Sequence, residues 1–133
     1  MRTLAILMGF LFAGTVAAAD YAELSGKQLF QRYCAACHGT EARGDGPVAS
    51  SLKVEVPDLT TMARRSAGHF PRDRVMRIID GRFIIGAHGT RTMPIWGEDF
   101  AHLEIGSPNT EAATRLVIDH IADYLAQLQQ KEQ

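Results

Sequence analysis

Apolar residues recur at intervals of three and four positions in several parts of the chain, which is the spacing of one face of an α-helix. A first helix is predicted over about residues 21–35. A second follows Phe70 and Pro71 and stops at Gly81, a residue suited to a helix C-terminus. The inward positions of these two helices are apolar: Leu24, Leu29, Phe30, Tyr33, Val75, Met76, Ile78 and Ile79.

The third predicted helix has the most regular pattern. Ser107 can cap its start, and Pro108 suits its first turn. Its inward face is apolar: Val117, Ile118, Ile121, Tyr124, Leu125 and Leu128. Two predicted loops rich in glycine and proline, residues 39–60 and 81–108, separate the three helices. Because strand-like alternation is missing, the pattern favours an all-α fold, and such long loops in a small domain indicate that they wrap around something.

The N-terminus has the features of an export signal. Arg2 provides a positive start, residues 4–12 are almost entirely apolar, and the alanines at 17–19 precede Asp20 as a cleavage site. The apolar stretch is shorter than the roughly 20 residues that span a bilayer, and no basic flank follows it. We therefore expect residues 1–19 to be a cleaved signal peptide. Residues 20–133 would then form one periplasmic domain without stable membrane insertion.

The composition fits one ordinary globular domain. The chain of 133 residues has 46% hydrophobic and 22% charged residues and a net charge of −1, which argues against disorder and against a nucleic-acid partner. The charge is uneven, because residues 64–91 contain only Asp73 and Asp80 against a cluster of arginines: Arg64, Arg65, Arg72, Arg74, Arg77, Arg82 and Arg91. These arginines form either a solvated face with local ion pairs or a rim that steers a negatively charged partner.

The most specific chemical signal is the sequence Cys34-Ala-Ala-Cys37-His38. Positions i, i+3 and i+4 share one face of a helical turn, so both thiols and the imidazole point the same way. This spacing is the attachment signature of c-type haem, in which the cysteines form thioethers and the histidine binds the iron. A thioredoxin-like pair would need a βαβ context, structural zinc would need four ligands, and a plain disulfide would leave His38 without a role.

A ligating histidine also needs an acceptor for its second ring nitrogen, which fixes the tautomer. The turn at residues 44–47 follows His38 closely enough to return beneath the haem. We expect the backbone carbonyl of Pro47 to be this acceptor, because proline would hold the loop stiffly. An ordinary turn is the alternative.

The sixth iron position decides between electron transfer and ligand chemistry. Met93 is favoured, because it lies in the helix-incompatible segment 89–97 and Pro94 stiffens the backbone after it. His88 is its rival. The further candidates are Met62, Met76, His69, His102 and His120, of which Met76 fits core packing and the last two fit a solvated surface.

With these motifs the chain resembles the class I monohaem cytochromes c of the bacterial periplasmic type, over essentially all of residues 20–133. The shared features are the haem motif in the N-terminal third, the Gly46-Pro47 loop, Met93-Pro94 and a closing helix. The family also packs its first and last helices crosswise. The residues that fit this crossing are Gly26 and Phe30 on the first helix, with Ile121 and Tyr124 on the last.

The resemblance implies a few helices wrapped around one haem c, attached through Cys34 and Cys37, with His38 and Met93 on the iron. It implies a one-electron carrier rather than an enzyme, exchanging electrons as a monomer with a periplasmic dehydrogenase, a terminal oxidase or another cytochrome. The alternative is a ligand-binding or peroxidatic haem protein with an open sixth position.

A haem also changes how the hydrophobic and cationic residues of the loops are interpreted. Candidate pocket-lining residues are Leu52, Val54, Val56, Leu59, Ile84, Ile85, Ile95 and Trp96. The two propionates need donors, for which the candidates are Arg82, Arg91 and Trp96.

Overall fold

The computed structural model describes residues 23–82, 93–103 and 109–130. Within these ranges the chain is helical and contains no strand, which confirms the prediction of an all-α fold. The α-helices are α1 (Gly26–Tyr33), α2 (Ala35–His38), α3 (Arg72–Asp80), α4 (Trp96–Leu103) and α5 (Thr110–Gln127). Short 3-10 turns lie between α2 and α3, at Ala49–Ser51, Leu59–Thr61 and Arg64–Ser66. No helix in the described ranges is long and apolar enough to cross a membrane.

The first helix begins later than predicted because Ser25 caps it. The Ser25 hydroxyl oxygen accepts the backbone N–H of Gln28 at 3.3 Å, and the Gln28 side chain accepts the backbone N–H of Ser25 at 2.9 Å. This reciprocal pair satisfies N–H groups that a helix start leaves unbonded. The helix buries Leu29 and Phe30 and ends at Tyr33, and Cys34 then caps it and leads into α2.

Helix α1 packs across α5 as the sequence predicted. A side chain at Gly26 would collide with the backbone carbonyl of His120, so glycine is what allows the two helices to approach this closely. One turn further on, the ring of Phe30 is fully buried and its centroid lies 5.5 Å from that of Tyr124. Ile121 is fully buried in the same core. The predicted crossing is confirmed.

The predicted C-terminal end of α3 is confirmed, whereas the predicted N-terminal cap of α5 is not. Helix α3 follows Pro71 and stops at Gly81, which has a left-handed φ of 70°, as predicted. Helix α5 is capped by Asn109, whose side chain accepts the backbone N–H of Ala112 at 3.1 Å. The prediction that Ser107 caps this helix is therefore wrong, since Asn109 offers its oxygen at the first turn that forms; Ser107 itself lies outside the described residues.

Helix α4 lies where the sequence predicted one continuous loop over 81–108. Its stability comes from tertiary contacts. Phe100 is almost fully buried, its ring stacks on that of Trp96 with centroids 6.0 Å apart, and both rings meet the edge of Tyr33 in α1. A helix this short is only marginally stable on its own, so its sequence carries little helical signal. Its packing partners determine whether it forms.

Candidate functional site

A cavity of about 580 Å³ lies among all five helices. Its size is within the range of cofactor sites in proteins. Cys34, Cys37 and His38 line it, and so do Met93 and Pro94. The fold thus brings the predicted haem-binding side chains to one cavity, although Met93 lies 55 positions after His38 in the sequence.

The first three of these side chains are held by a single helical turn. His38 donates its backbone N–H to the carbonyl of Cys34 at 2.9 Å, and Cys37 donates to the same carbonyl at 3.2 Å. Gly39 ends the turn, with its N–H bonded to Ala35 at 2.9 Å and a positive φ of 78°. The local hydrogen bonds therefore fix the relative positions of the two cysteines and the histidine.

The loop after this turn folds back onto its free carbonyls. Gly44 donates its backbone N–H to the carbonyl of His38 at 2.8 Å, and Gly46 donates to that of Cys37 at 3.1 Å. A side chain at Gly46 would collide with the backbone of Ala36 and Cys37. The loop therefore caps the C-terminal end of α2, where helical carbonyls have no partner within the helix.

The surroundings of His38 favour the neutral form of its imidazole. Burial lowers the pKa of His38 below its ordinary value, and the backbone carbonyl of Pro57 opposes this effect from beside the ring. Nδ1 is shielded from solvent yet makes no hydrogen bond of ordinary length and angle among the described residues. The Pro57 contact is therefore longer or more bent than such a bond. A neutral imidazole is the form that binds metal ions.

Pro57 reaches His38 because two segments of the loop touch each other. Gly44 has a left-handed φ of 83°, and a side chain there would collide with the carbonyl of Val56. Beyond Pro57, Leu59 donates its backbone N–H to the carbonyl of Ala42 at 2.8 Å. These contacts bring Pro57 to the imidazole ring of His38.

The predicted role of Pro47 is corrected by this arrangement. Pro47 is exposed and is not among the residues that line the cavity. Its neighbour Val48 donates a backbone N–H to the carbonyl of Ala36 at 3.1 Å, so this turn secures the backbone of α2 instead of the imidazole. Spacing favoured Pro47 because it is the nearer proline, but the fold-back at Gly44 presents Pro57.

The two cysteines are free thiols in surroundings that differ from those of a redox pair. Burial raises the pKa of the Cys34 thiol to about 12, with a smaller contribution from Cys37. Redox-active Cys-x-x-Cys pairs depend on a lowered thiol pKa, because the thiolate is the nucleophile. The environment of Cys34 is the reverse of that requirement, which disfavours the thioredoxin-like alternative.

Two of the methionines considered as a sixth ligand line the cavity, Met93 and Met62. Both are partly buried against the core. The sulfur of Met76 lies instead 2.9 Å from the guanidinium of Arg72, and Met76 packs against the core as expected. Of the further methionine candidates named from the sequence, the structure therefore leaves Met62 as the competitor of Met93.

The described histidines other than His38 do not line the cavity. His69 and His102 are exposed, and the His69 ring lies 2.9 Å from the carbonyl of Ala67. His120 is half-buried, because its Nδ1 lies 3.1 Å from the carbonyl of Leu24 at the α1–α5 crossing. The sequence predicted that His120 lies on a solvated surface, whereas the structure places it in a contact between helices. His88 lies outside the described residues.

Most of the predicted apolar lining is present. The loop hydrophobes that line the cavity are Leu52, Val54, Val56, Leu59 and Trp96, whereas Ile95 does not, and residues 84 and 85 lie outside the described ranges. Helices α1, α3 and α5 complete the lining with apolar side chains that the sequence assigned to the core: Phe30, Tyr33, Val75, Ile78, Ile79, Ile121 and Leu125. Core and cavity wall are therefore continuous.

The cationic residues at the cavity differ from those predicted. Arg65 and Arg74 line it, with Arg65 donating a hydrogen bond to the hydroxyl of Thr61 at 2.8 Å. Arg82, a predicted propionate donor, is not among the lining residues and is engaged by two carboxylates outside the cavity. Arg91 lies outside the described residues. Sequence position alone could not show which arginine faces the cavity, although the helical register of α3 places Arg74 beside Val75 and Ile78.

These features define a site for a covalently attached haem: two free thiols and a neutral imidazole on one turn, facing a largely apolar cavity of cofactor size. A family model described as Cytochrome c matches residues 24–129. Comparisons with curated proteins and with solved structures found no match. The chain belongs to the cytochrome c family, class I.

Membership of this family identifies the cofactor as covalently attached haem c with its iron, and the general function as haem-based electron transfer. The residues present fit that group. The Cys-x-x-Cys-His turn supplies the two thiols and the imidazole, and Nδ1 of His38 is shielded from solvent while the residue lines the cavity. Members of the family generally carry electrons rather than transform substrates.

Proposed function

We propose that this chain is an exported one-electron carrier whose haem is attached through Cys34 and Cys37 and whose iron is bound by His38 and Met93. The observation that supports the proposal most strongly is the shared cavity, which all four side chains line. Ligation by both His38 and Met93 would leave the iron no open site for a substrate, as suits a carrier.

When bound, the haem supplies the one-electron change between ferrous and ferric iron. The chain's own residues set its conditions. His38 would supply a nitrogen ligand to the iron in its neutral form, and the Met93 thioether as second ligand would raise the reduction potential. The apolar lining excludes water, which further disfavours the more highly charged ferric state.

Arg65, Arg74 and Trp96 are the proposed donors to the haem propionates, since all three line the cavity. A guanidinium provides charge-assisted hydrogen bonds to a carboxylate, and an indole provides one N–H. Thr61 restrains Arg65 through its 2.8 Å hydrogen bond, which reduces the freedom that this side chain would lose on pairing.

The export part of the proposal rests on residues 1–19, which have the pattern of a cleaved signal peptide. The mature carrier, residues 20–133, would act in the periplasm as a monomer. Its donor and acceptor would be redox proteins such as a dehydrogenase, an oxidase or another cytochrome. N-terminal sequencing of the protein from a periplasmic extract should give Asp20 as the first residue; an intact Met1 in a membrane fraction would contradict cleavage.

Carbon monoxide binding tests the axial ligation. The ferrous native protein should bind carbon monoxide weakly, because Met93 occupies the iron, and the Met93→Ala variant should bind it readily. Met62→Ala is the matched control, since Met62 lines the same cavity and loses the same thioether. This variant should behave like the native protein, as measured by the change in the haem absorption spectrum on titration.

Two results would overturn the proposed ligation. If Met62→Ala gained the carbon monoxide affinity and Met93→Ala did not, Met62 would be the ligand. If the native ferrous protein already bound carbon monoxide as readily as the Met93→Ala variant, the sixth position would be open. The protein would then be a ligand-binding or peroxidatic haem protein.

A further inference from the structure

Arg82 joins the end of α3 to the start of α5 through two carboxylates. Its Nε and Nη2 donate to Asp80 at 2.7 and 2.9 Å, and its Nη1 and Nη2 donate to Glu111 at 2.8 and 3.1 Å. The side chains of Asp80 and Arg82 are only 16% and 20% exposed. Such two-point contacts between a guanidinium and a carboxylate are directional as well as strong, so this cluster has a defined shape.

Gly97 packs directly against this cluster. It is buried at the start of α4, and a side chain there would collide with the Asp80 carboxylate and would lie 2.6 Å from Nε of Arg82. The backbone carbonyl of Asp80 would lie 2.8 Å from the same added atom. The cluster and the first turn of α4 are therefore in close contact over both side-chain and backbone atoms.

Met93 lies four residues before Gly97, in the segment that leads into α4. On the other side of α4, Trp96 contacts Tyr33 and Phe100, with ring centroids 5.6 and 6.0 Å away. The aromatic rings hold α4 to α1, whereas the Arg82 cluster holds it to α3 and α5. Met93 and Trp96 both line the cavity, so the position of α4 bears directly on where the Met93 thioether lies.

We propose that Arg82, paired with Asp80 and Glu111, is a positioning residue that holds the first turn of α4 so that Met93 stays on the iron. This inference rests on the proposed His38 and Met93 ligation. Arg82 does not line the cavity and would act only through Gly97 and the residues before it. Losing the cluster should raise the population of molecules in which Met93 has left the iron, while the haem stays attached through the turn at Cys34.

Arg72 provides a matched control at the opposite end of α3. It also bridges α3 to α5, with 2.8 and 2.7 Å contacts to Asp119 and Asp123. It likewise loses a paired guanidinium on replacement by glutamine. Among the described residues its guanidinium contacts Met76 on α3 and Asp119 and Asp123 on α5, and none of these belongs to α4. A purely structural effect of breaking an α3–α5 ion pair should therefore be the same in Arg72→Gln and Arg82→Gln.

The experiment measures the affinity of the ferric holoprotein for imidazole, which competes with Met93 for the iron. Its apparent affinity rises in proportion to the fraction of molecules with an open sixth position, so we expect about tenfold tighter binding in Arg82→Gln and less than about twofold change in Arg72→Gln. The long-wavelength absorption band of methionine-ligated ferric haem should weaken in Arg82→Gln alone. Gly97→Ala, which leaves every charge in place, should tighten imidazole binding in the same direction.

Equal imidazole affinities in Arg82→Gln and Arg72→Gln would overturn the positioning role while leaving the axial ligation intact, provided the native protein binds imidazole more weakly than Met93→Ala. If native protein and Met93→Ala bound imidazole equally well, the ligation itself would fail, and the positioning role with it. Should Arg82→Gln not fold, as judged from its helical circular dichroism, Gly97→Ala alone decides: an unchanged affinity overturns the inference.

Discussion

The histidine side and the methionine side of the cavity are held in place by different kinds of contact. Backbone hydrogen bonds within one turn fix Cys34, Cys37 and His38, and the following loop bonds to the same backbone. The segment carrying Met93 is positioned by side chains from distant parts of the chain, the aromatic rings of α1 and α4 and the carboxylates around Arg82. The first arrangement is local in sequence, and the second is not.

This difference determines how each side should respond to change. A site held by backbone bonds tolerates most side-chain substitutions but not the addition of atoms against its backbone. A site held by side-chain contacts can shift when one contact is lost, because few local bonds resist the movement. We therefore expect a substitution on the histidine side either to disrupt the local structure completely or to leave it unchanged. On the methionine side we expect each lost contact to cause a partial displacement.

The largest expected effect comes from replacing both cysteines by alanine. Without Cys34 and Cys37 no thioether can form, so the variant should contain no covalently bound haem, whereas Met93→Ala should retain a full equivalent. Mass spectrometry of the denatured proteins measures this directly. A haem adduct that survives denaturation in the double variant would refute the attachment and remove the basis of the comparison.

Matched glycine substitutions compare the stability of the two sides. Alanine at Gly46 would collide with backbone atoms of Ala36 and Cys37, and we expect it to destabilise the protein by about 1–3 kcal/mol. Alanine at Gly97 first meets the side chains of Asp80 and Arg82, and the nearest backbone atom, the carbonyl oxygen of Asp80, lies 2.8 Å from the added atom. Because alanine also improves helix propensity, its effect should be smaller.

Denaturant unfolding monitored by circular dichroism gives both free energies of unfolding. We expect Gly46→Ala to lower the free energy of unfolding more than Gly97→Ala does. We expect Gly97→Ala to change the affinity for imidazole at the iron more than Gly46→Ala does. If Gly97→Ala lowered the free energy of unfolding more than Gly46→Ala, the histidine side would not be the more rigid of the two.

The same contrast explains what the sequence could and could not predict. The Cys-x-x-Cys-His turn, the α1–α5 crossing at Gly26 and the end of α3 at Gly81 depend on residues close in sequence or on side-chain size, so they were predicted correctly. Helix α4 was missed because Phe100 and Trp96 are stabilised by Tyr33, more than 60 residues away.

Residues whose role depends on how loops fold back were also missed. Pro57 meets His38 only because Gly44 lets the chain approach Val56, and Pro47 was the better choice by distance along the sequence. Arg82 was one of three candidate propionate donors, but the carboxylates of Asp80 and Glu111 bind it outside the cavity. An arginine count over residues 64–91 does not distinguish these environments.

Acid should weaken the carboxylate contacts that hold the methionine side. The hydrogen bonds from Arg82 lower the pKa of Asp80 below its ordinary value. A carboxyl whose pKa is lowered by folding stabilises the protein above its unfolded pKa, about 4, and this stabilisation is lost as the pH falls through the lower folded value. The free energy of unfolding should therefore decline below about pH 4, with part of the decline caused by Asp80.

Asp80→Asn tests the assignment, because it removes this titration while keeping a hydrogen-bonding side chain. The variant should be less stable than the native protein at pH 7, and the difference should narrow as the pH falls below about 4. Denaturant unfolding at a series of pH values measures it. A stability difference that stayed constant down to the folded pKa would show that Asp80 stabilises the protein without its charge.

The smallest expected effect concerns charge at the mouth of the cavity. Arg65 and Arg74 line the cavity, and Glu55 is the acidic residue among the described residues that line it. Arg72 and Arg82 are already paired with carboxylates. This pairing reduces the number of arginines in residues 64–91 that could steer a negatively charged partner. Only arginines near the haem and without such partners can contribute fully to that steering.

Arg74→Gln and Arg77→Gln separate position from net charge. Both arginines are exposed on α3 and pair with no carboxylate among the described residues, but only Arg74 lines the cavity. Reduction of ferricyanide by the ferrous protein is the measurement, because this anion needs no protein-specific contacts. At low ionic strength Arg74→Gln should slow the reaction by about twofold and Arg77→Gln by less, and added salt should remove the difference. Equal slowing in both variants would mean that net charge, and not a rim at the cavity, governs the approach of anions.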